Sequence, residues 1–375
     1  MANEILNYEQ GVRMLSEKAS MEERYGGIPV VVKPIPDSAA QGELDPRVYE
    51  NTKRQLEAGG FPDWPAAAQI VVSELPIGQI RAQMGCLNRD VSRSAIRTDY
   101  RSISGENSAI PIRVYSREDN EGNVPGILFF HGGGFMGGSL DVIENSCKLL
   151  AERANAVVIA VDYRLAPEHP FPAGLTDCYD AVKWVYRHGH ELGVNPRQLA
   201  VTGDSAGGNF SAVCALMDRD AGAGMIRYQA LIYPSVNLCE RDTGDHRWSL
   251  DGYTIHNHKE LILKSINSLG DSLPLVRSVY LQGLTDAADP HVSPLQAEDL
   301  SGLPETLILT AEYDKFRLEN EAYARRLAAA GVKVKVIQYN GLDHGFIDKV
   351  GIYPQVEDCM NEIARSLTRF FAASR

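Results

Sequence analysis

The segment LAVTGDSAGGNFSAVCALM, from Leu199 to Met217, carries the strongest chemical signal in the chain. An apolar run ends at Thr202, the turn Gly203-Asp204-Ser205-Ala206-Gly207 follows, and a helical pattern starts at once. This is the G-x-S-x-G pattern in which a serine is held on a sharp strand-to-helix turn. Glycines two positions to either side of Ser205 remove side chains that would collide in so tight a turn. The hydroxyl is then exposed above the strand ends, and the helix N-terminus behind it favours developing negative charge. A serine at its free pKa is a poor nucleophile, so acyl transfer at Ser205 requires a base and a group that orients the base.

Later loops supply candidates, in the order serine, acid, histidine that this type of turn demands. The apolar run ETLILT leads into AEYDKFR, placing Asp314 just past its end, and KVKVIQY leads into NGLDHGF, placing His344 in the next loop. Both lie where an α/β sheet presents ligand-binding groups. Asp286, Asp289, Glu312 and Asp343 are rival acids; Asp343 would have to fold back on its neighbour, and Glu312 is set nearer the strand. Upstream, PGILFF leads into HGGGFMGG, His131 to Gly138, whose side-chain-free backbone can turn N–H groups towards an oxyanion. A dinucleotide site is the competing reading, since Gly132, Gly134 and Gly137 match G-x-G-x-x-G by letter. No P-loop lysine follows, the helix is delayed, and Asp162 stands about 30 residues on where about 20 is usual.

Such loops need a sheet beneath them. Short apolar runs recur at 125–130, 155–161, 199–202, 228–233, 305–310 and 333–339 with helical stretches between, preceded by a hairpin from RTDYRSI and IPIRVYS. Uniformly apolar runs too short for helices predict a mostly parallel sheet of eight strands buried on both faces. Residues 1–90, read as helical, and 235–285, read as polar turns around short helices, are too long for simple crossovers. They are expected to form an N-terminal extension with a cap segment and a cap insert, around a core of 91–234 and 286–375. The KVKVIQY strand is expected near a sheet edge, where it could mediate a homodimer.

Hydrophobic residues are 44% and charged residues 23% of 375, a composition that excludes disordered and fibrous classes. A formal charge of −12 disfavours nucleic acid and anionic lipid as partners. No run approaches the roughly 18 apolar residues of a spanning helix, and the first residues lack a signal-peptide pattern, so a cytoplasmic protein without integral membrane association is expected. The six cysteines never fall in CxxC spacing and are expected as free thiols. His256 and His258 lack further ligands nearby and read as a solvated loop, so neither metal nor cofactor is expected.

Taken together, HGGGFMGG, VDYRLAPEHPFPA (161–173), GDSAGGN, DPHVSPL (289–295), TAEYDKFR and DHGF resemble the hormone-sensitive-lipase-like family of α/β hydrolases, which includes many bacterial carboxylesterases. The resemblance runs from about residue 44 to the C-terminus. It implies an α/β-hydrolase fold, an eight-stranded mostly parallel sheet with a helical cap. It also implies Ser205 as nucleophile, Asp314 as acid, His344 as base, and an oxyanion hole of Gly133, Gly134 and Ala206. His131 would organise the glycine loop, Asp204 would shape the elbow, and Tyr163, Arg164 and Glu168 would brace the catalytic loops. Where the family usually has proline and leucine before its arginine, this chain has Lys315 and Phe316 before Arg317. Trp64, Trp248 and Tyr253 lie in cap segments, as candidates for the pocket entrance or for cap core. The implied activity is serine carboxylesterase on a small-molecule ester of short to medium acyl length. Deacetylation of small acetylated compounds and lactone hydrolysis use the same machinery, and a non-catalytic binding protein on the same scaffold is a remote alternative.

Overall fold

The computed structural model describes residues 7–24, 27–36, 38–60, 64, 69–86, 88–244 and 246–373. The eight expected strands form: β3 (Ile96–Ser104), β4 (Ala109–Arg117), β5 (Val124–Phe130), β6 (Val157–Val161), β7 (Val194–Asp204), β8 (Ile226–Ile232), β9 (Glu305–Ala311) and β10 (Val334–Tyr339). They belong to a larger, mixed sheet of ten strands, ordered β1-β2-β10-β9-β8-β7-β5-β6-β4-β3. The two added strands, β1 (Ser20–Arg24) and β2 (Ile28–Lys33), come from the N-terminal segment expected to be helical. Pairing is parallel from β2 through β6 and antiparallel at β1/β2, β6/β4 and β4/β3, so the expectation of eight mostly parallel strands is corrected to ten mixed ones.

The added pair displaces the expected edge. Val336 of β10 lies opposite both Ile308 of β9 and Val30 of β2, which places β10 inside the sheet and removes it as a dimer edge. A buried cation explains why the N-terminal segment joins the body. Lys33 Nζ donates to Leu15 O at 2.7 Å and to Glu362 Oε1 at 3.0 Å, and lies 3.0 Å from Asp358 Oδ2. It thereby ties helix α1 (Tyr8–Glu17) and β2 to the C-terminal helix, whose partner charges an interior ammonium requires.

Central strands such as β6 are buried at every position, as a sheet covered on both faces requires. One face is covered by α5 (Ala173–His188), α6 (Ala206–Asp220) and α8 (Arg317–Ala329), the other by α4 (Leu140–Ala154) and the C-terminal helix α9 (Pro354–Ala373). Helix α2 (Pro46–Glu57) is capped by Asp45, which accepts from Arg47 N at 2.8 Å, and has proline in its first turn. A short helix, α3 (Ile77–Ala82), follows. The later insert differs from its reading: it holds one 23-residue helix, α7 (Lys259–Leu281), with Pro274 inside it. The His256–His258 turn joins the two inserted regions. His256 Nδ1 lies 3.1 Å from Gln41 O, and His258 Nδ1 accepts from Leu44 N at 3.3 Å.

Candidate active site

Ser205 stands alone between the end of β7 and the start of α6, at φ 54° and ψ −114°. A left-handed φ strains a residue with a side chain and persists only where the surroundings over-determine it. Here Ser205 N–H donates to Ile232 O at 2.9 Å, and its carbonyl accepts from Asn209 N at 3.0 Å and Ser235 N at 3.2 Å. Gly207 permits the close packing: a Cβ there would lie 2.6 Å from His131 O and 2.5 Å from the Phe130 carbonyl carbon.

The loops after β9 and β10 bring two side chains to this serine. His344 Nε2 is 3.0 Å from Ser205 Oγ, and His344 Nδ1 is 2.8 Å from Asp314 Oδ2. A proton on Nδ1 satisfies the carboxylate and leaves Nε2 free to accept from the serine hydroxyl. Burial pushes the His344 pKa down, but the negative charges of Asp314, Asp204 and Asp343 outweigh it, and the net shift is upward. Asp314 is fully buried; its Oδ1 accepts from Phe316 N at 2.8 Å and its carbonyl from Tyr253 Oη at 2.8 Å. The rival acids are engaged elsewhere. Asp343 accepts from Ser265 at 3.0 Å, Glu312 from Gly341 N at 2.8 Å, Asp289 from His291 N at 2.8 Å, and Asp286 meets Arg241 at 3.5 Å.

The glycine loop faces the serine from the end of β5. Among the described residues the N–H groups of Gly133, Gly134 and Ala206 meet no protein acceptor, and all three residues line the same cavity as Ser205. Asp204 holds loop and elbow together, accepting from Gly132 N at 2.8 Å. Burial and the nearby Asp348 push the Asp204 pKa up to about 7. His131 Nδ1 is 2.7 Å from Gly132 O, so that nitrogen carries the proton, and burial pushes its pKa down to about 4. Tyr163 stacks on this ring at 4.3 Å and donates to His131 O at 2.6 Å. Arg164 forms paired 2.8 Å bonds to Asp177, which bracket the segment after β6.

Glu168 leads to a residue the sequence reading missed. Arg81, on α3, binds Glu168 through two bonds of 2.9 and 2.6 Å and also donates to Met136 O at 2.6 Å and Ala166 O at 3.0 Å. An arginine in a six-residue helix whose isoleucines pack on the core carries no local signal of this role.

The cavity over Ser205 measures about 240 Å³ and includes Trp64 and Met84 on one side and Leu269, Leu273 and Val276 of α7 on another. Of the three aromatic candidates for its entrance, Trp64 lines it, whereas Trp248 and Tyr253 do not. Tyr253 is instead buried behind the acid loop through its bond to Asp314 O. Trp248 receives the Lys315 ammonium at 3.6 Å from its ring centre, and Phe316 sets its ring edge-on to His344 at 5.1 Å. The two substituted positions of the acid loop thus have their own partners. All six cysteines are unpaired. Among the described residues no group of three metal-ligating side chains converges, and no helix is long and apolar enough to cross a membrane.

Residues 127–348 match a protein-family model described by the α/β hydrolase fold. The esterase LipI of Mycobacterium tuberculosis is 34% identical over 281 residues, covering 73% of this chain and 83% of that protein. The carboxylesterase NlhH of the same organism is 36% identical over 271 residues, covering 69% and 78%. Among solved structures, a hyperthermophilic esterase from the archaeon Pyrobaculum calidifontis superposes with a TM-score of 0.69 at 36% identity, covering 87% of this chain and 98% of that one. With the elbow, the glycine loop and the histidine–carboxylate pair assembled on a matching sheet, the chain belongs to the α/β-hydrolase-fold family of esterases and carboxylesterases.

Proposed function

We propose that the protein performs carboxylic ester hydrolysis through an acyl-enzyme on Ser205, with His344 as base and Asp314 as its orienting acid. Ser205 Oγ attacks the ester carbonyl while His344 Nε2 takes its proton; the C–O bond to the alcohol breaks as Nε2 returns that proton to the leaving oxygen. Water then attacks the acyl carbon, giving its proton to His344, and Ser205 departs as the protonated hydroxyl. The N–H groups of Gly133, Gly134 and Ala206 stabilise the oxyanion, each donor contributing about 3 kcal/mol in sites of this type. His131, neutral and donating to Gly132 O, supports the loop and is not the base. The observation that carries this reading is the continuous chain from Ser205 Oγ through His344 to Asp314.

The finer reading places the chain in the hormone-sensitive-lipase-like group, supported by the HGGG and GDSAGG segments and by a cavity bounded both by the N-terminal segment and by α7. An apolar cavity of about 240 Å³ favours short to medium acyl chains over long ones. Six unpaired cysteines support a reducing, cytoplasmic setting. A charge of −12 argues against nucleic acid as a partner. Homodimerisation through a sheet edge would use one of the two outer strands, β1 with Met21 exposed or β3 with Tyr100 exposed, and light scattering tests it. The decisive experiment is a p-nitrophenyl ester series from acetate to palmitate, run with the protein and its Ser205→Ala variant. Activity that peaks at short to medium chains and is absent from the variant supports the proposal; full activity in the variant overturns it.

A further inference from the structure

The cavity holds a carboxylate that the reaction does not use. Asp348 lies on the 3-10 turn Phe346–Lys349 directly after His344, and it lines the cavity together with Ser205 and His344. Its backbone is pinned on both sides. Cys86 Sγ donates to Asp348 O at 2.9 Å, and Ile347 N–H donates to the Tyr233 hydroxyl at 3.2 Å. Among the described residues, however, its carboxylate accepts no hydrogen bond and joins no ion pair. Half-buried and lining the cavity, the carboxylate is open to a donor from a bound molecule. Burial pushes its pKa up to about 6, with Lys349 and His344 pulling the other way, so the group is mainly ionised at neutral pH.

The rest of the cavity does not supply a partner. Asp204, the other acid in the lining, is already bonded to Gly132 N. The described lining residues include neither lysine nor arginine. The cavity therefore presents an unfilled acceptor with negative charge, which attracts a hydrogen-bond donor and repels an anion.

The reaction tells which half of the ester meets it. The leaving oxygen must reach His344 Nε2 to receive a proton, so the alcohol half lies against the histidine and the turn that follows it. Resting on the Ser205–His344 reading above, we propose that Asp348 accepts a hydrogen bond from a hydroxyl or ammonium group on the alcohol half of the ester. Esters of hydroxylated or cationic alcohols are then preferred over esters of apolar or anionic ones.

Four acetates of nearly equal shape test this at neutral pH. Isoamyl acetate is the apolar reference; its tertiary-hydroxyl analogue and dimethylaminoethyl acetate carry donors; acetoxypropionate carries an anion. Acetate release gives kcat/KM for each with the protein, Asp348→Asn and Asp348→Leu. In the unaltered protein, dimethylaminoethyl acetate is expected to exceed acetoxypropionate by at least about tenfold, as charge-assisted pairing implies. Ratios to isoamyl acetate cancel any general loss in a variant. The asparagine variant should lose the ammonium preference and keep part of the hydroxyl preference, and the leucine variant should lose both. Equal ratios in all three proteins, or preference for the anionic ester in the unaltered one, overturn the assignment of Asp348 while leaving the esterase reading intact. No hydrolysis of any of these acetates or of p-nitrophenyl acetate overturns both.

Discussion

Arg81 and Glu168 form a two-bond ion pair, 2.9 and 2.6 Å, between residues 87 positions apart. The same guanidinium carries the Met136 and Ala166 carbonyls, so one side chain from the N-terminal segment holds both the glycine loop and the segment after β6. Tyr163, stacked on His131, anchors the opposite end of that loop. The loop N–H groups are thus aimed by contacts made well away from Ser205.

Replacing Arg81 with alanine is expected to lower kcat on p-nitrophenyl acetate about ten- to a hundredfold with little change in KM, because misaimed donors weaken transition-state stabilisation more than ground-state binding. Lysine should not restore it, since an ammonium cannot reproduce a planar fork on four acceptors. Equal loss in kcat and in thermal midpoint, with lysine rescuing both, would show a merely structural role.

The electrostatics of His344 set a pH dependence. Its pKa is raised in the folded protein, so its protonated form is stabilised by folding. That stabilisation is fully present below the ordinary histidine value and is lost as pH rises through the folded one. Catalysis needs the neutral form, so kcat/KM should rise with pH along a limb lying above the ordinary histidine pKa. Asp314→Asn removes the largest upward influence. It should cut kcat by roughly ten-thousandfold and move the residual activity's limb to lower pH, as read from a pH–rate profile.

The strain at Ser205 is measurable apart from activity. At φ 54° a glycine is unstrained and an alanine is not, so Ser205→Gly should be more stable than Ser205→Ala by about 1 kcal/mol in urea denaturation. Both should lack turnover. Equal stability would mean that the elbow relaxes in the variants.

Lys33 tests the N-terminal strands. Replacing it with methionine leaves Asp358 and Glu362 without their shared buried cation, and should cost about 3 to 5 kcal/mol of stability. Burial would raise the Glu362 pKa, yet Lys335 and Lys33 pull it down to about 2. Its contribution is therefore present above the ordinary glutamate value and lost as pH falls towards 2. Chemical denaturation at neutral and acid pH should show the difference between the two proteins narrowing in acid.

The elbow at Ser205, the glycine loop and the eight strands from β3 to β10 were legible because each is local: a short apolar run and the turn residues that end it are adjacent in the chain. Asp314 and His344 were legible for the same reason, each lying just past a strand that identified itself by composition. The stretch IPVVVK, set between glycine and proline, lies in a segment read as helical, and only its pairing with β10, some three hundred residues on, makes it a strand. Nothing near Arg81 or Asp348 marks them, since they meet Glu168 and an open cavity, and Tyr253 was marked as a cap aromatic without its bond to the Asp314 carbonyl. Sequence alone therefore determined which groups could react and which strands carry them. Tertiary structure decided the sheet's true edge, which acid reaches His344, and what surrounds the reacting atoms, because those depend on distances between segments that covalent order does not constrain.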